Sequence, residues 1–164
     1  MARKTRRART GTPATTVLER AGVSFEVRGY EHDPAAESFG LEAARALGVQ
    51  PARVFKTLLV DTEQGLAVGI VPVDRVLDLK AMAAALGVKR ASMADPQDAE
   101  RSTGYVVGGI SPVGQKRPLP TVLDASARSH PRILVSGGRR GLDLELSPDD
   151  LQRVTGAVVT AIAR

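Results

Sequence analysis

The sequence predicts a single α+β domain built on a mixed, largely antiparallel sheet with short helices around it. Three observations lead there. Short strand and short helix patterns are interspersed without a regular βαβ rhythm. Neither an internal repeat nor a linker interrupts residues 11–164. The 164 residues are 43% hydrophobic and 25% charged, enough for one domain with a real core.

Thr12-Pro13 reads as an N-cap followed by proline at the first helical position. Val17, Leu18 and Ala21 form that helix's apolar face, and Gly22 stops it. "VSFEVRGY" alternates and predicts a strand ending at Tyr30, after which "EHDPAAE" is a loop. Ser38 or a neighbour opens a second helix, "FGLEAARAL", closed by Gly48. "VFKTLLVD" and "LAVGIVPV" are strands joined by a short turn around Thr62-Glu63-Gln64-Gly65, a hairpin pattern. "LDLKAMAAALG" is a third helix, and "KRASMA" a short strand. Asp95-Pro96 caps a fourth helix running to about Ser102. The segment "VGGISPVGQKRPLP" has neither helix period nor strand alternation and predicts a specialised loop. "TVLDA", "RILVSGG" and "LDLELS" are short strands, Ser147-Pro148 starts a last helix, and "AVVTAIA" is one more short element.

Composition narrows the function classes. There is no apolar run of membrane-spanning length, and no apolar segment follows the basic start as a secretory signal would require. Cysteine is absent, which excludes disulfides, thiolate metal sites and a cysteine nucleophile, and fits a reducing, cytoplasmic setting. The net charge of +5 comes from the opening: Arg3, Lys4, Arg6, Arg7 and Arg9, without which each sign numbers 18. Residues 1–11 are thus predicted to be a disordered basic tail, either a solubilising extension or a loose grip on phosphate backbone. Aromatic residues make up only 3%, which argues against a stacking platform for single-stranded nucleic acid.

Lys56 is the most informative single residue. Alternation in "RVFKTLLVD" puts Val54, Lys56, Leu58 and Val60 on one face and Phe55, Thr57 and Leu59 on the other. Both faces are apolar, so the strand is predicted to be buried on both sides, where a lysine needs a partner or a task. Either its stem packs while the amine reaches water, or it enters a cleft that takes an anionic or carbonyl-bearing ligand. His32, between Glu31 and Asp33, matches no metal-binding spacing and reads as a loop histidine with carboxylate neighbours. His130, before Pro131, is given no role. Ser111 in "GGISPVG" and Ser136 in "VSGGRRG" each fail the nucleophile-elbow pattern. The two glycine-rich loops, each beside cations (Lys116-Arg117 and Arg139-Arg140), are neither Walker loops nor dinucleotide fingerprints. They read either as tight turns with solvated charges or as loops that bring backbone N–H groups to a phosphate or polar ester.

Taken together, "TPATTVLERAGVSFEVRGYEHDP", "SFGLEAARALG", "VFKTLLV", "DLKAMAAALG", "RSTGYVVGGISPVGQK" and "SGGRRGLDLEL" resemble the YbaK family of aminoacyl-tRNA deacylases. That family is similar to the editing domain of bacterial prolyl-tRNA synthetases. The resemblance covers nearly all of residues 12–164 and implies one editing domain there, with a mixed sheet, barrel-like at its centre. It implies hydrolysis of a mischarged tRNA, with Cys-tRNA(Pro) the expected target and Ala-tRNA(Pro), or a non-catalytic tRNA-binding adaptor, as alternatives. The family's strand lysine falls on Lys56 with Thr57 beside it, and its pocket aromatics fall on Tyr30 and Phe39. The first glycine loop falls on Gly108, Gly109, Ile110, Ser111 and Pro112, and the second, with its following acid, on Ser136 and Asp143. Expected roles follow from the resemblance: Gly108 to Ser111 present amides to the carbonyl or the terminal ribose. Lys56 meets the terminal phosphate or charge near the ester, and Asp143 the amino group. Neither cofactor nor metal is expected. Association with prolyl-tRNA synthetase is also implied. An aminoacyl ester is already activated, so positioning and electrostatics suffice. In the cysteine-specific branch the substrate's own thiol is thought to attack.

Overall fold

Side chains that the sequence marks as caps open four of the five helices among the described residues. The computed structural model describes residues 11–164; the basic tail expected over residues 1–11 therefore lies, except for Gly11, outside the described residues. α1 (Pro13–Arg20) begins in a reciprocal capping box between Thr12 and Thr15. α2 (Phe39–Leu47) is capped by Ser38, whose hydroxyl accepts from the Leu41 N–H. α3 (Leu79–Leu86) starts two residues later than its sequence pattern suggests. The Asp78 carboxylate accepts from Lys80 and Ala81, and Leu77 is instead buried in a bridge to Ala163. α4 (Pro96–Thr103) and α5 (Pro148–Thr155) follow Asp95 and Ser147 as caps.

Among the described residues, eight strands form two sheets. β2 (Phe55–Thr62) and β3 (Gly65–Pro72) are the expected hairpin at the heart of a five-stranded sheet, ordered β4-β2-β3-β5-β8. Its other members are β4 (Ala91–Met93), β5 (Thr121–Asp124) and β8 (Val158–Thr160). β3–β5 and β5–β8 are parallel, so the sheet is mixed. The second sheet, ordered β1-β7-β6, contains β1 (Glu26–Gly29), β6 (Ile133–Arg139) and β7 (Leu142–Leu146), all antiparallel. β1 is shorter than the alternating run "VSFEVRGY", because only Glu26–Gly29 finds partners, on β7. The sheets meet where β2 runs beside β6, through a parallel bridge from Val54 to Leu134. The barrel-like expectation holds only loosely, since the strand order does not close. Two short 3-10 turns, Pro51–Arg53 and Ala125–Ser129, have no counterpart in the sequence reading.

β2 is lined with apolar groups on both faces, as its alternation predicts. Phe55 and Leu59 enter the main core with Val68, Ile70, Leu123, Leu144 and Leu146. Val60 packs with Val71 and Met82 beneath α3, and Val54 with Ala43, Ala44 and Leu134 beneath α2. β7 divides differently: Leu142, Leu144 and Leu146 point one way, while Asp143 and Glu145 share the opposite face. That acidic face is what the second sheet brings to the site.

Candidate active site

A cleft of about 400 Å³ opens where β2, the start of α2, the segment leading into α4 and both glycine loops converge. Lys56, Thr57, Tyr30 and Phe39 line it. So do Gly108, Ile110, Ser136 and Asp143. Gly109, Ser111 and Pro112 do not; all three are buried behind its wall.

Lys56 is fixed by the backbone of a central strand, opposite Val71. Burial lowers the pKa of its amine, and Asp74 acts weakly in the other direction. Among the described residues no carboxylate lies within ion-pair distance of it. The amine is therefore a half-buried cation presented to the cleft without a protein partner.

Thr57 carries a second unfulfilled group: its hydroxyl is buried and has no hydrogen-bond partner. A stranded buried hydroxyl costs about 1–3 kcal/mol. Thr57→Val, which removes it at near-constant volume, is thus expected to keep or raise stability by about 1 kcal/mol while weakening deacylation. Urea unfolding beside ester-lifetime assays checks both. A substantial loss of stability would mean that the hydroxyl is already satisfied in the folded protein.

The acidic face of β7 supplies the counterpart charge. Asp143 is only 6% exposed and has no hydrogen-bond or ion-pair partner among the described residues. Burial pushes its carboxyl up to about 7, with Arg28 pulling the other way. Tyr30, half-buried and next to the Asp143 charge, has its hydroxyl pushed up to about 12 and stays neutral. Glu145 is held instead by two guanidinium groups, those of Arg28 and Arg53.

The glycine loops pack on each other. A Cβ at Gly109 would come within 2.6 Å of the Arg139 Cα, so the absent side chain makes room for the second loop rather than for a ligand. Gly108 sits at φ +88°, with the Phe39 ring 2.9 Å from where its Cβ would be. The Gly109 N–H donates to the Val106 carbonyl at 2.8 Å, so it is not free for a substrate. Ser111 is fully buried; its hydroxyl accepts from the Val113 N–H and its carbonyl from Gln115. Gly108 and Ile110, by contrast, line the cleft, and their amides have no partner among the described residues.

Several supporting residues were invisible to sequence reasoning. The Glu100 carboxylate accepts from the Val107 N–H at 2.8 Å, and Arg140 Nε donates to the Val107 carbonyl at 2.9 Å. The Arg140 guanidinium also covers the Phe39 ring at 4.9 Å, with His32 on that ring at 5.6 Å. His32 has a carboxylate partner, but it is Glu42, at 2.7 Å, rather than its chain neighbours. Met93, Ala94, Pro96 and Ala99 form an apolar wall that no motif announced.

None of the described residues lining this cleft pairs a hydroxyl with a histidine. Two serine hydroxyls there, Ser38 and Ser136, accept from the backbone N–H groups of Leu41 and Gly138. The fold and site therefore define a single cleft that brings together a cation, unpaired backbone amides and a carboxylate. The chain belongs to the aminoacyl-tRNA editing domain family, which matches residues 33–154, and it is an aminoacyl-tRNA deacylase acting on charged tRNA. A protein of Enterococcus faecalis named as a Cys-tRNA(Pro)/Cys-tRNA(Cys) deacylase, EbsC, is 36% identical over 146 residues, 88% of each chain. A crystal structure described as a trans-editing enzyme for prolyl tRNA synthetase superposes with a TM-score of 0.82 at 28% identity, covering 93% of this chain and 95% of that one. The structure of a hypothetical protein superposes with a TM-score of 0.84 at 27% identity, covering 93% of this chain and all of the other. No described helix is long and apolar enough to cross a membrane.

Proposed function

We propose that this deacylase acts in trans on Cys-tRNA(Pro), clearing cysteine misattached by prolyl-tRNA synthetase. The observation that carries the reading is a cleft whose described lining holds a cation, unpaired amides and an open carboxylate but no hydroxyl paired with a histidine. Such a site suits a substrate that brings its own nucleophile. The relative's name supports cysteine as the cargo.

In the proposed reaction the substrate sulfur attacks the ester carbonyl carbon. A C–S bond forms, the bond to the ribose oxygen breaks, and the thiol proton ends on that oxygen. The product is a four-membered thiolactone, which water opens to free cysteine, so the net reaction is hydrolysis. Ring strain makes stabilisation of the carbonyl oxygen the main demand, and the amides of Gly108 and Ile110 are assigned to it. Lys56 adds positive charge at the ester or the terminal phosphate. Asp143 receives the substrate's ammonium group. Tyr30, Phe39, Thr57 and Ser136 shape the pocket, while Gly109, Ser111 and Pro112 hold its wall from behind.

The reading extends to the whole chain. Residues 12–164 form the editing domain, the basic segment before them adds a loose hold on RNA, and the protein works in the cytoplasm beside prolyl-tRNA synthetase. A second target, Cys-tRNA(Cys), is favoured by the relative's name, which includes both tRNAs. The test is a panel of Cys-tRNA(Pro), Cys-tRNA(Cys), Ser-tRNA(Pro) and Ala-tRNA(Pro), each with and without the synthetase. Ser-tRNA(Pro) is expected to be cleared at least about tenfold more slowly, because a hydroxyl is a far weaker nucleophile than a thiol. Equal rates for the cysteine and serine esters would rule out thiol attack. Preferential clearance of Ala-tRNA(Pro) would replace the substrate assignment.

A further inference from the structure

The register between β1 and β7 places Arg28 directly opposite Asp143. Opposed residues in an antiparallel pair share a face, with Cβ atoms about 5 Å apart, so arginine and aspartate there pair by default. Arg28 does not take that partner. Its guanidinium reaches diagonally to the Glu145 Oε1, two residues along the strand, and also approaches the Leu47 carbonyl at 3.5 Å. Arg53 takes the other oxygen of Glu145 at 3.0 Å and is itself anchored through Nε to the Arg132 carbonyl at 3.2 Å. Glu145 is thus clamped from one side with its remaining oxygen aimed at β1, and it wins Arg28 from the nearer acid.

We propose that Glu145 is a positioning residue that draws Arg28 away from Asp143 and so keeps the Asp143 carboxylate open to the substrate's ammonium group. This rests on the role given to Asp143 above. The geometry serves a clear need: a carboxylate already paired with a guanidinium has its charge neutralised and its acceptor directions occupied. The other ionisable groups around the same cleft are Lys56 from β2, Glu37 from the loop before α2, and the Tyr30 hydroxyl after β1. Only Arg28 stands opposite Asp143 across the strand pair. Released from Glu145, it has a partner waiting.

The test combines a carbon-13 NMR titration of the Asp143 carboxyl with deacylation kinetics, both on the full chain. Glu145→Gln keeps the side chain's size and removes the charge that holds Arg28. The Asp143 midpoint is expected to fall from about 7 by about one unit or more as Arg28 turns to it. KM for the aminoacyl-tRNA should rise about tenfold, the equivalent of one such unit, with a smaller change in kcat. Adding Arg28→Met to Glu145→Gln should return both midpoint and KM toward wild type. An unchanged midpoint in folded Glu145→Gln protein overturns the proposal, as does a loss that Arg28→Met fails to reverse. Asp143→Asn separates the two levels. If that variant deacylates normally, the role of Asp143 fails and the proposal goes with it. If it is impaired while Glu145→Gln is not, the role stands and only the proposal fails.

Discussion

Replacing Lys56 by alanine is expected to lower kcat/KM for deacylation of Cys-tRNA(Pro) by about 100- to 1000-fold, the usual cost of removing one electrostatic group aimed at a developing charge. The expectation rests on placement. Lys56 is the second residue of β2 and is paired with Val71 on β3, so its backbone is held in the sheet beside the cleft. Its amine is half-buried, with no carboxylate among the described residues within ion-pair distance to neutralise its charge. A cation in that setting acts at reduced dielectric, where its influence on a nearby ester oxygen or phosphate exceeds that of a solvated lysine. The fold should not suffer, since removing a desolvated charge without a partner relieves a cost. Ester half-life measured beside urea unfolding separates the two effects. A folded Lys56→Ala protein with most of its activity would take Lys56 out of the mechanism. Loss of folding together with activity would make it structural.

The second large effect concerns Asp143 and has opposite signs for function and stability. Its carboxyl is raised from an ordinary 3.8 to about 7, chiefly by burial. Between those values the folded protein binds more protons than the unfolded chain, so stability falls as pH rises from about 4 to about 7 and then levels off. Three units correspond to about 4 kcal/mol at most. Asp143→Asn removes the ionisation and should be more stable than wild type at pH 8 by up to that amount, with near-equal stability at pH 4. The same variant should lose most of its deacylase activity, because its amide no longer offers charge to an ammonium group. Urea unfolding of both proteins across this pH range, paired with kinetics at neutral pH, is the measurement. If stability does not diverge above pH 7, the carboxyl is not carrying a buried charge. This is the pattern of a group retained for its chemistry at the expense of the fold.

How much of this was legible depends on the distance over which each feature is decided. Helix starts were legible because a cap and its target amides lie within three residues, as at Ser38 and Asp95. The start of α3 was misplaced because Leu77, apolar and at helical spacing, is claimed by Ala163 from the far end of the chain. Lys56 stood out on its own, since alternation alone makes a cation in a two-faced apolar strand conspicuous. Asp143 did not: "LDLELS" reads simply as a short strand, and only the resemblance singled it out. What distinguishes Asp143 from Glu145 is the pairing of β1 with β7, a register that no local pattern encodes. The glycine loops show a different limit. Their composition left tight turns and access for a ligand both open, and the structure divides them: Gly109 gives way to Arg139, while Gly108 and Ile110 line the cleft with amides unpaired among the described residues. A glycine announces a close approach without saying what approaches.

The two parallel pairings in the larger sheet have a consequence for how the protein is made. β3 is flanked on one side by its hairpin partner β2, but its other edge is covered by β5, and β5 in turn by β8. A ribosome delivers those strands late. Until residues 121–124 emerge, the hairpin that carries Lys56 shows an open, apolar edge of the kind that seeks any strand available. The nascent chain is therefore most exposed to aggregation while its central hairpin waits, and native pairing must be completed from the C-terminal third inward, a slow, non-local step.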